Sequence, residues 1–287
     1  MTPGGPPDAI EARVRERLGR LRLTTTREAL SALLTEAARE QWTYLDFIDE
    51  LTRRETEAKQ DKRVRMGMTI AHFPMIRTLE GFDFAAQPSV DERLVRELAT
   101  GTFVAHGTNV LLFGAPGLGK THLAIGLGRR VVELGHTVLF TTATGLLTVL
   151  SKAESEGRLE EKLIQYVKPR LLIVDELGYL PFERRAAHLF FQLVNRRYER
   201  GSMLITTNQR VSDWGAMFGD EVLATAILDR LLHHSETLMI TGESYRLREK
   251  RKSGLFRSRD EAEARASGRH RTEGSRPAVG RPKQVDK

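Results

Sequence analysis

The chain of 287 residues contains no cysteine and only two tryptophans. The missing cysteine excludes disulfide bonds, zinc–thiolate sites and thiol catalysis, and it suits a reducing compartment. No apolar run approaches the ~20 residues of a membrane-spanning helix, and the opening residues MTPGGPP carry no apolar signal segment. We therefore expect a soluble, cytoplasmic protein without a membrane partner.

Acidic residues are fewer than basic residues. The chain has 38 Asp and Glu against 45 Lys and Arg, which gives a formal net charge of +7. This balance suggests a polyanionic partner such as nucleic acid, although a solvated arginine-rich surface produces the same charge. With 40% hydrophobic residues, the chain can bury a core in one large domain or two smaller ones.

The most informative stretch is the octamer GAPGLGKT at residues 114–121. It follows the apolar run VLLF and precedes the helix-like HLAIGL, so it has the pattern and the setting of a phosphate-binding P-loop. The nucleotide contacts that we expect are Gly114, Ala115, Pro116, Gly117, Leu118, Gly119, Lys120, Thr121 and His122. Lys120 is expected to reach the β- and γ-phosphates of ATP, and the Thr121 hydroxyl to ligate Mg²⁺. The alternative is a glycine-rich turn before an ordinary helix, which the flanking strand and helix disfavour.

A second constellation follows the apolar segment LLIV at residues 171–174. Asp175 ends this predicted strand, and in a shared sheet its carboxylate would lie beside the P-loop and hold Mg²⁺ through water. Glu176 begins the next loop, where it could polarise the attacking water. A polar turn after a strand is the alternative for both residues.

Three further polar residues are candidates for the same chemistry. Asn208 follows the predicted strand MLITT and could face the γ-phosphate or the water, or simply form a turn. Arg230, within AILDRLL, could stabilise transition-state charge on a neighbouring subunit's nucleotide, or pair with Asp229 on the surface. Arg246 could reach the nucleotide of its own chain, or begin the basic tail.

Composition divides the chain into five segments. Residues 1–8 are rich in Pro and Gly and expected to be disordered, and 9–68 have the periodicity of a small helical domain. Thr43 is a candidate cap there, with Asp46 three residues later in the capping-box position. A linker is expected at 69–83, an α/β ATPase domain at 84–249 and a disordered basic tail at 250–287. The tail could serve for solubility or for contact with phosphates.

Strands and helices alternate in the ATPase segment, which predicts a mostly parallel sheet with helices on both faces. Strands are expected at Val110–Phe113, Thr137–Thr142, Leu171–Val174, Met203–Thr207 and Thr237–Ile240. Helices are expected at Thr121–Leu134, Gly145–Ala153, Leu159–Tyr166, Arg184–Glu199 and Glu221–Leu232.

The ordered set of P-loop, Asp-Glu, Thr-Thr-Asn, Leu-Asp-Arg and Ser-Tyr-Arg resembles an AAA+ ATPase, and more narrowly the IstB/DnaC group. Four segments resemble IstB-type insertion-sequence helper proteins: DELGYL at 175–180, ILDRLLHH at 227–234, GESYRL at 242–247 and LEGFDF at 79–84. Leu118 departs from the family, which often has Thr there. The resemblance covers the ATPase core and, loosely, the helical segment before it, and it implies an AAA+ fold.

The resemblance also implies roles for individual residues. These are ATP and Mg²⁺ binding by Lys120 and Thr121, a Walker B acid at Asp175, a catalytic acid at Glu176, sensor 1 at Asn208, an arginine finger at Arg230 and sensor 2 at Arg246. The family assembles as a homo-oligomer on double-stranded DNA and assists a transposase in choosing its target. A DnaC-type helicase loader is the main alternative. A P-loop kinase for a small molecule and a nucleotide-binding protein without turnover are less consistent with these motifs.

Overall fold

The computed structural model describes residues 6–179, 182–245 and 247–248. In this part of the chain the strands are β1 Asn109–Gly114, β2 Val138–Thr142, β3 Leu171–Leu177, β4 Ser202–Thr207 and β5 Ser235–Ile240. The helices are α1 Pro7–Arg20, α2 Thr24–Arg39, α3 Tyr44–Ala71, α4 Glu92–Leu98, α5 Thr102–Ala105, α6 Lys120–Glu133, α7 Ala143–Ser155, α8 Leu159–Val167, α9 Arg184–Arg197, α10 Trp214–Phe218 and α11 Glu221–Leu232, with a short 3-10 turn at Val211–Asp213.

The five strands form one parallel sheet in the order β2–β3–β4–β1–β5. All carboxyl ends therefore meet at one edge. The register aligns Phe113 with Thr207 and Thr142 with Asp175. The sheet thus gathers the P-loop, the acidic pair and the Thr-Thr-Asn segment at a single edge, as expected for the carboxyl end of an α/β sheet.

Both faces of the sheet are buried, and neighbouring strand residues serve different cores. Leu111 packs in a cluster with α7, α8, α9, α10 and α11, whereas Leu112 packs in a cluster with α4, α5 and α6. Because successive strand side chains point to opposite faces, a continuous apolar run such as VLLF is what a doubly covered sheet requires. The expected fold class, a P-loop parallel sheet sandwiched by helices with further helices before it, is confirmed.

The helices before the sheet follow the sequence pattern closely. The Thr43 hydroxyl accepts a hydrogen bond from the Asp46 backbone N–H, and the Asp46 carboxylate accepts from the Thr43 N–H, which completes the expected capping box. Helix α1 begins at Pro7, inside the segment expected to be disordered, and α3 continues to Ala71, inside the expected linker. The long helix α3 contacts the loop that follows α6: the Arg63 guanidinium donates a hydrogen bond to the Gly135 carbonyl at 2.6 Å.

The buried guanidinium of Arg197 connects the segments at the amino ends of strands β3 and β4. Arg197, 1% exposed, donates from both terminal nitrogens, at 2.7–3.3 Å, to the backbone carbonyls of Tyr166, Val167, Pro169, Arg170 and Ser202. Burial lowers the pKa of this guanidinium to about 10, so it stays charged at neutral pH. These carbonyl dipoles offset its lost hydration and join the end of α8 to the start of β4.

Within the described residues, no helix has both the length and the apolar character that crossing a bilayer demands. Three expectations fall outside the described residues, wholly or in part: the disorder expected at 1–8, of which residues 1–5 are not described, the role of Arg246 and the character of the tail at 250–287.

Candidate nucleotide site

The P-loop runs from the end of β1 to the first turn of α6, as its sequence pattern predicts. A side chain at Gly114 would collide with the carbonyl oxygen of Ile240 in the neighbouring strand β5. Gly119 has φ +96°, and a Cβ there would lie 2.7 Å from Cε2 of Phe82. Both positions require glycine because the backbone is left-handed or closely packed. The loop is therefore a compact turn with no room for a side chain at these two positions.

Lys120 starts helix α6 and folds back over the loop. Its Nζ donates to the carbonyl oxygens of Gly114 at 2.7 Å and Ala115 at 2.9 Å. These bonds hold an ammonium group at the mouth of the loop, at the N-terminal end of a helix whose dipole already favours anions. The charge and the geometry of the loop, the helix end and Lys120 suit a phosphate group.

The acidic pair Asp175–Glu176 lies next to this loop and is connected to it by threonine hydroxyls. The Thr121 hydroxyl donates to both carboxylate oxygens of Asp175, at 3.0 Å each. Asp175 is 4% exposed, and the Thr206 hydroxyl on strand β4 also donates to its Oδ1, at 2.5 Å. Three elements, α6, β3 and β4, thus converge on one buried carboxylate.

Glu176 adopts an unusual backbone conformation beside this carboxylate. Its φ is +61°, in the left-handed region, and its backbone N–H donates to Thr206 Oγ1 at 2.9 Å. The β3–β4 register is irregular between Val174 and Leu177. At this irregularity the residues of β3 no longer alternate regularly between the two faces of the sheet. The Glu176 side chain is exposed, whereas the Asp175 side chain is buried. Strained conformations of this kind are concentrated at functional sites.

These residues open onto a cleft of about 500 Å³. Its lining includes much of the loop, together with Lys120, Thr121, His122, Glu176, Thr206, Thr207 and Asn208. The opposite wall comes from the segment before α4: Met75, Arg77, Gly81, Phe82, Asp83, Ala86 and Gln87. The volume and the mixture of apolar and charged walls suit a nucleotide.

The wall segment is tied to the loop at two points. His122 Nε2 lies 2.8 Å from the carbonyl oxygen of Thr78, and the His122 ring meets Phe82 edge to face at 5.3 Å. Buried Gln87 donates from Nε2 to the Leu118 carbonyl at 3.2 Å. His122 and Leu118 therefore help to shape the cleft, and the Leu118 side chain itself is buried in the core.

The other two candidates lie differently. Asn208 is exposed after β4 and lines the cleft. Arg230 does not line it: its Nε donates to Asn195 Oδ1 at 2.9 Å, its Nη1 donates to the Ala226 carbonyl, and its guanidinium lies 5.1 Å from the centre of the Phe191 ring. The Asp229–Arg230 surface pair considered from sequence is not among the ion pairs of the described residues.

The arrangement fits a nucleotide with a divalent cation. The glycine cradle leaves room that a Cβ would fill, Lys120 supplies positive charge, and Thr121 with Asp175 offers the hydroxyl and carboxylate oxygens that Mg²⁺ prefers.

The sequence analysis gave no site role to Thr206 or to the wall segment, although LEGFDF at 79–84 was noted for its resemblance. The Thr-Thr pair at the end of β4 was a signal for Thr206, since a polar strand end beside an acidic one favours a hydrogen bond. No local signal indicated that Phe82 and Gln87 contact the loop, because these contacts span 30 residues or more.

Comparison with known proteins identifies a family that matches most of the chain and similar proteins from insertion sequences. A family described as IstB-like ATP binding proteins matches residues 16–253. A protein of insertion sequence IS21 from Pseudomonas aeruginosa, described as ATP-binding, is 49% identical over 239 residues, covering 83% of this chain and 90% of its own length. Its counterpart from insertion sequence IS5376 of Geobacillus stearothermophilus is 44% identical over 242 residues, covering 84% and 96%. Among solved structures, the DnaC helicase loader aligns over 52% of this chain and 87% of its own, with 23% identity and a TM-score of 0.46.

Proposed function

Because the chain belongs to the family of IstB-like ATP binding proteins, we propose that it is an AAA+ ATPase that assembles on double-stranded DNA and assists a transposase. The relatives at 49% and 44% identity are described as ATP-binding proteins of insertion sequences, which supports a role in transposition. The observation that carries the enzymatic part is the buried Asp175 carboxylate, held by Thr121 and Thr206 beside an exposed Glu176 in the same cleft.

In this proposal the loop and Lys120 bind the β- and γ-phosphates of ATP. Thr121 and Asp175 would hold Mg²⁺, which when bound neutralises phosphate charge and orients the γ-phosphate. Glu176 accepts a proton from the attacking water through its exposed carboxylate. Asn208, at the mouth of the cleft, orients that water or the γ-phosphate by hydrogen bonding. Each of these side chains lines the cleft except Asp175, which lies behind Thr121 and Thr206 and accepts a hydrogen bond from each.

Glu176→Gln tests the hydrolytic assignment. The substitution keeps size and hydrogen-bonding capacity but removes the base, so the ATPase kcat is expected to fall by roughly 10²–10⁴-fold while ATP affinity changes little. Nucleotide binding is measured with a fluorescent ATP analogue and turnover by phosphate release. Glu183→Gln, on a residue outside the cleft lining, is the control and should keep full turnover. Turnover of Glu176→Gln near the control level would contradict the role given to this carboxylate.

Arg230 is proposed to act in trans. It belongs to α11 and packs on α9, outside the cleft that holds the P-loop of its own chain. The Arg230 guanidinium can stabilise charge on ATP only if the nucleotide cleft of a neighbouring copy lies against it. Self-association with ATP and DNA is therefore part of the proposal, and the formal net charge of +7 favours a polyanionic scaffold.

Mixing two inactive variants tests this geometry. Arg230→Ala lacks the trans-acting charge and Lys120→Ala lacks a working P-loop, so each alone should hydrolyse ATP at least ~10³-fold more slowly with DNA present. Mixed in equal amounts, they should regain a measurable part of the activity, because some interfaces then combine an intact loop with an intact arginine. A mixture no more active than its components would exclude a shared site.

The helicase-loader alternative predicts a different partner. Under our proposal, the wild-type chain stimulates strand transfer by the transposase of its insertion sequence into plasmid DNA, and Glu176→Gln does not support normal target choice. Loading of a replicative helicase onto single-stranded DNA, without any effect on strand transfer, would favour the alternative.

A further inference from the structure

Two histidines and a glutamate meet on the surface away from the nucleotide cleft. Glu199, His233 and His234 are all exposed, and each offers one ligand atom such that the three atoms lie within 4.8 Å of one another. We propose that these residues bind a divalent transition-metal cation of the zinc class. Two imidazoles and a carboxylate are ligands that Zn²⁺ accepts readily, whereas Mg²⁺ and Ca²⁺ prefer oxygen ligands alone. The proposal does not depend on ATP hydrolysis.

The chain segments that carry the ligands are held rigidly. Glu199 follows α9 in a left-handed conformation, with φ +59°, two residues after the buried Arg197. His233 caps the end of α11, where its backbone N–H donates to the Asp229 carbonyl at 3.1 Å. The His234 carbonyl accepts from the Asn109 N–H at 2.8 Å. None of the three ligands therefore sits on a long free loop.

The side chain of Asn109 joins these two segments directly. Its Nδ2 donates to the Leu231 carbonyl at 3.0 Å, at the end of α11, and its Oδ1 accepts from the Met203 N–H at 2.9 Å, just past the turn that carries Glu199. One side chain at the start of β1 thus sets the spacing between the glutamate and the histidines. Ligands placed on a preorganised scaffold lose less entropy when a metal binds.

His233 also has the kind of hydrogen bond that orients a metal ligand. The Tyr198 hydroxyl lies 2.8 Å from His233 Nδ1. With its proton on Nδ1, the imidazole donates to the tyrosine oxygen and keeps the Nε2 lone pair for a metal. A partner on the second ring nitrogen that selects the tautomer accompanies nearly all histidine ligands in metal sites. The His233 and His234 rings lie 4.2 Å apart between centroids, so both face the same space.

The spacing is close to that of a tetrahedral site. Zinc bonds of ~2.0–2.1 Å place neighbouring ligand atoms about 3.4 Å apart, so ligand atoms within 4.8 Å of one another need to approach by at most about 1.4 Å. Exposed side chains make that movement by small rotations. Solvent access leaves a fourth position for water. The bound cation would link the end of α9 to the end of α11, the helix that carries Arg230.

Zinc binding to the tag-free full-length chain tests the proposal, measured by isothermal titration with Zn²⁺ in the presence of millimolar Mg²⁺. One Zn²⁺ per chain is expected. His233→Asn combined with His234→Asn should weaken the affinity at least ~100-fold, whereas the matched control His72→Asn with His188→Asn, two exposed histidines elsewhere, should keep it. Tyr198→Phe should weaken it by about tenfold, because it leaves all three ligands and removes only the orienting bond.

Two further measurements protect the interpretation. Zn²⁺ should raise the melting temperature of the wild type and the control pair, but not of the double variant. Should the double variant not fold, Glu199→Gln serves in its place and should also weaken binding. The proposal is overturned if the wild type binds Zn²⁺ no more tightly than the double variant or Glu199→Gln, or if the control pair loses binding equally.

Discussion

Replacing Thr206 with valine isolates the hydroxyl that connects the two acidic residues. Thr206 is 1% exposed, donates to Asp175 Oδ1 at 2.5 Å and accepts from the Glu176 N–H at 2.9 Å. Valine has nearly the same shape but no hydroxyl, so both bonds are lost without a cavity. The change alters neither Asp175 nor Glu176 covalently.

The cost follows from what is left behind. A partly buried Glu176 N–H loses its partner, which costs about 1–3 kcal/mol, and a carboxylate loses one charge-assisted bond, which adds about 1–2 kcal/mol. Thr121 still donates to both oxygens of Asp175, so this carboxylate is never without a partner. We therefore expect a loss of about 2–5 kcal/mol in the free energy of unfolding, or roughly 4–15 °C in melting temperature for a chain of this size.

Activity should fall more than ATP affinity does. Without its bond to Thr206, the left-handed turn at Glu176 is less restrained, and a displacement of about 1 Å at a catalytic group can cost roughly 10²-fold in rate. We expect kcat to decrease about 10–100-fold, with a change in nucleotide Kd of less than about fivefold.

Two variants serve as controls, with melting followed by circular dichroism and turnover by phosphate release. Thr206→Ser keeps the hydroxyl and should retain most of the activity. Thr207→Val is equally buried but removes only the acceptor of the Gln209 N–H, so it should cost about 1 kcal/mol. The reasoning is refuted if Thr206→Val melts like Thr207→Val and turns over like the wild type, or if Thr206→Ser is as impaired as Thr206→Val.

Two further substitutions test the loop and the buried charge. Gly119→Ala should weaken ATP binding at least tenfold in fluorescence titration, because a Cβ would lie 2.7 Å from the Phe82 ring, whereas Gly157→Ala, also at positive φ but with open space around it, should leave binding unchanged. Arg197→Met should lower the unfolding free energy by about 3–5 kcal/mol in urea titration, because it removes the donor shared by five carbonyls, while Arg196→Met on the surface should cost less than about 1 kcal/mol. Equal effects within either pair would contradict these structural reasons.

The sequence predicted the sheet well because its signals are local. The expected strands and helices around the P-loop lie within a few residues of the observed ones, since apolar runs, glycines and caps act within a few residues of themselves. The capping box at Thr43 is a clear example: both partners are three residues apart, and both bonds form. The pairing of Asp175 with the P-loop was also predictable, because parallel strands end at one edge.

Other features depended on register and on distant contacts. Val174 pairs with Ile205 and Leu177 with Thr207, so strand β3 carries one extra residue beside Thr206, and no local pattern announces this irregularity. The burial of individual apolar residues in the helical segment at 9–68 also depended on packing. Leu21 and Leu45 follow the helical periodicity of that segment, yet their side chains are 67% and 78% exposed.

The sequence by itself determined the chemistry of the GAPGLGKT loop, since the freedom of glycine to adopt positive φ and the charge of lysine are properties of the residues themselves. Tertiary structure alone decided which groups surround that loop. It placed Thr206 on Asp175, Phe82 against Gly119, and Arg230 outside the cleft. Contacts between residues 30 or more positions apart depend on sheet register and packing, and these are properties of the whole fold.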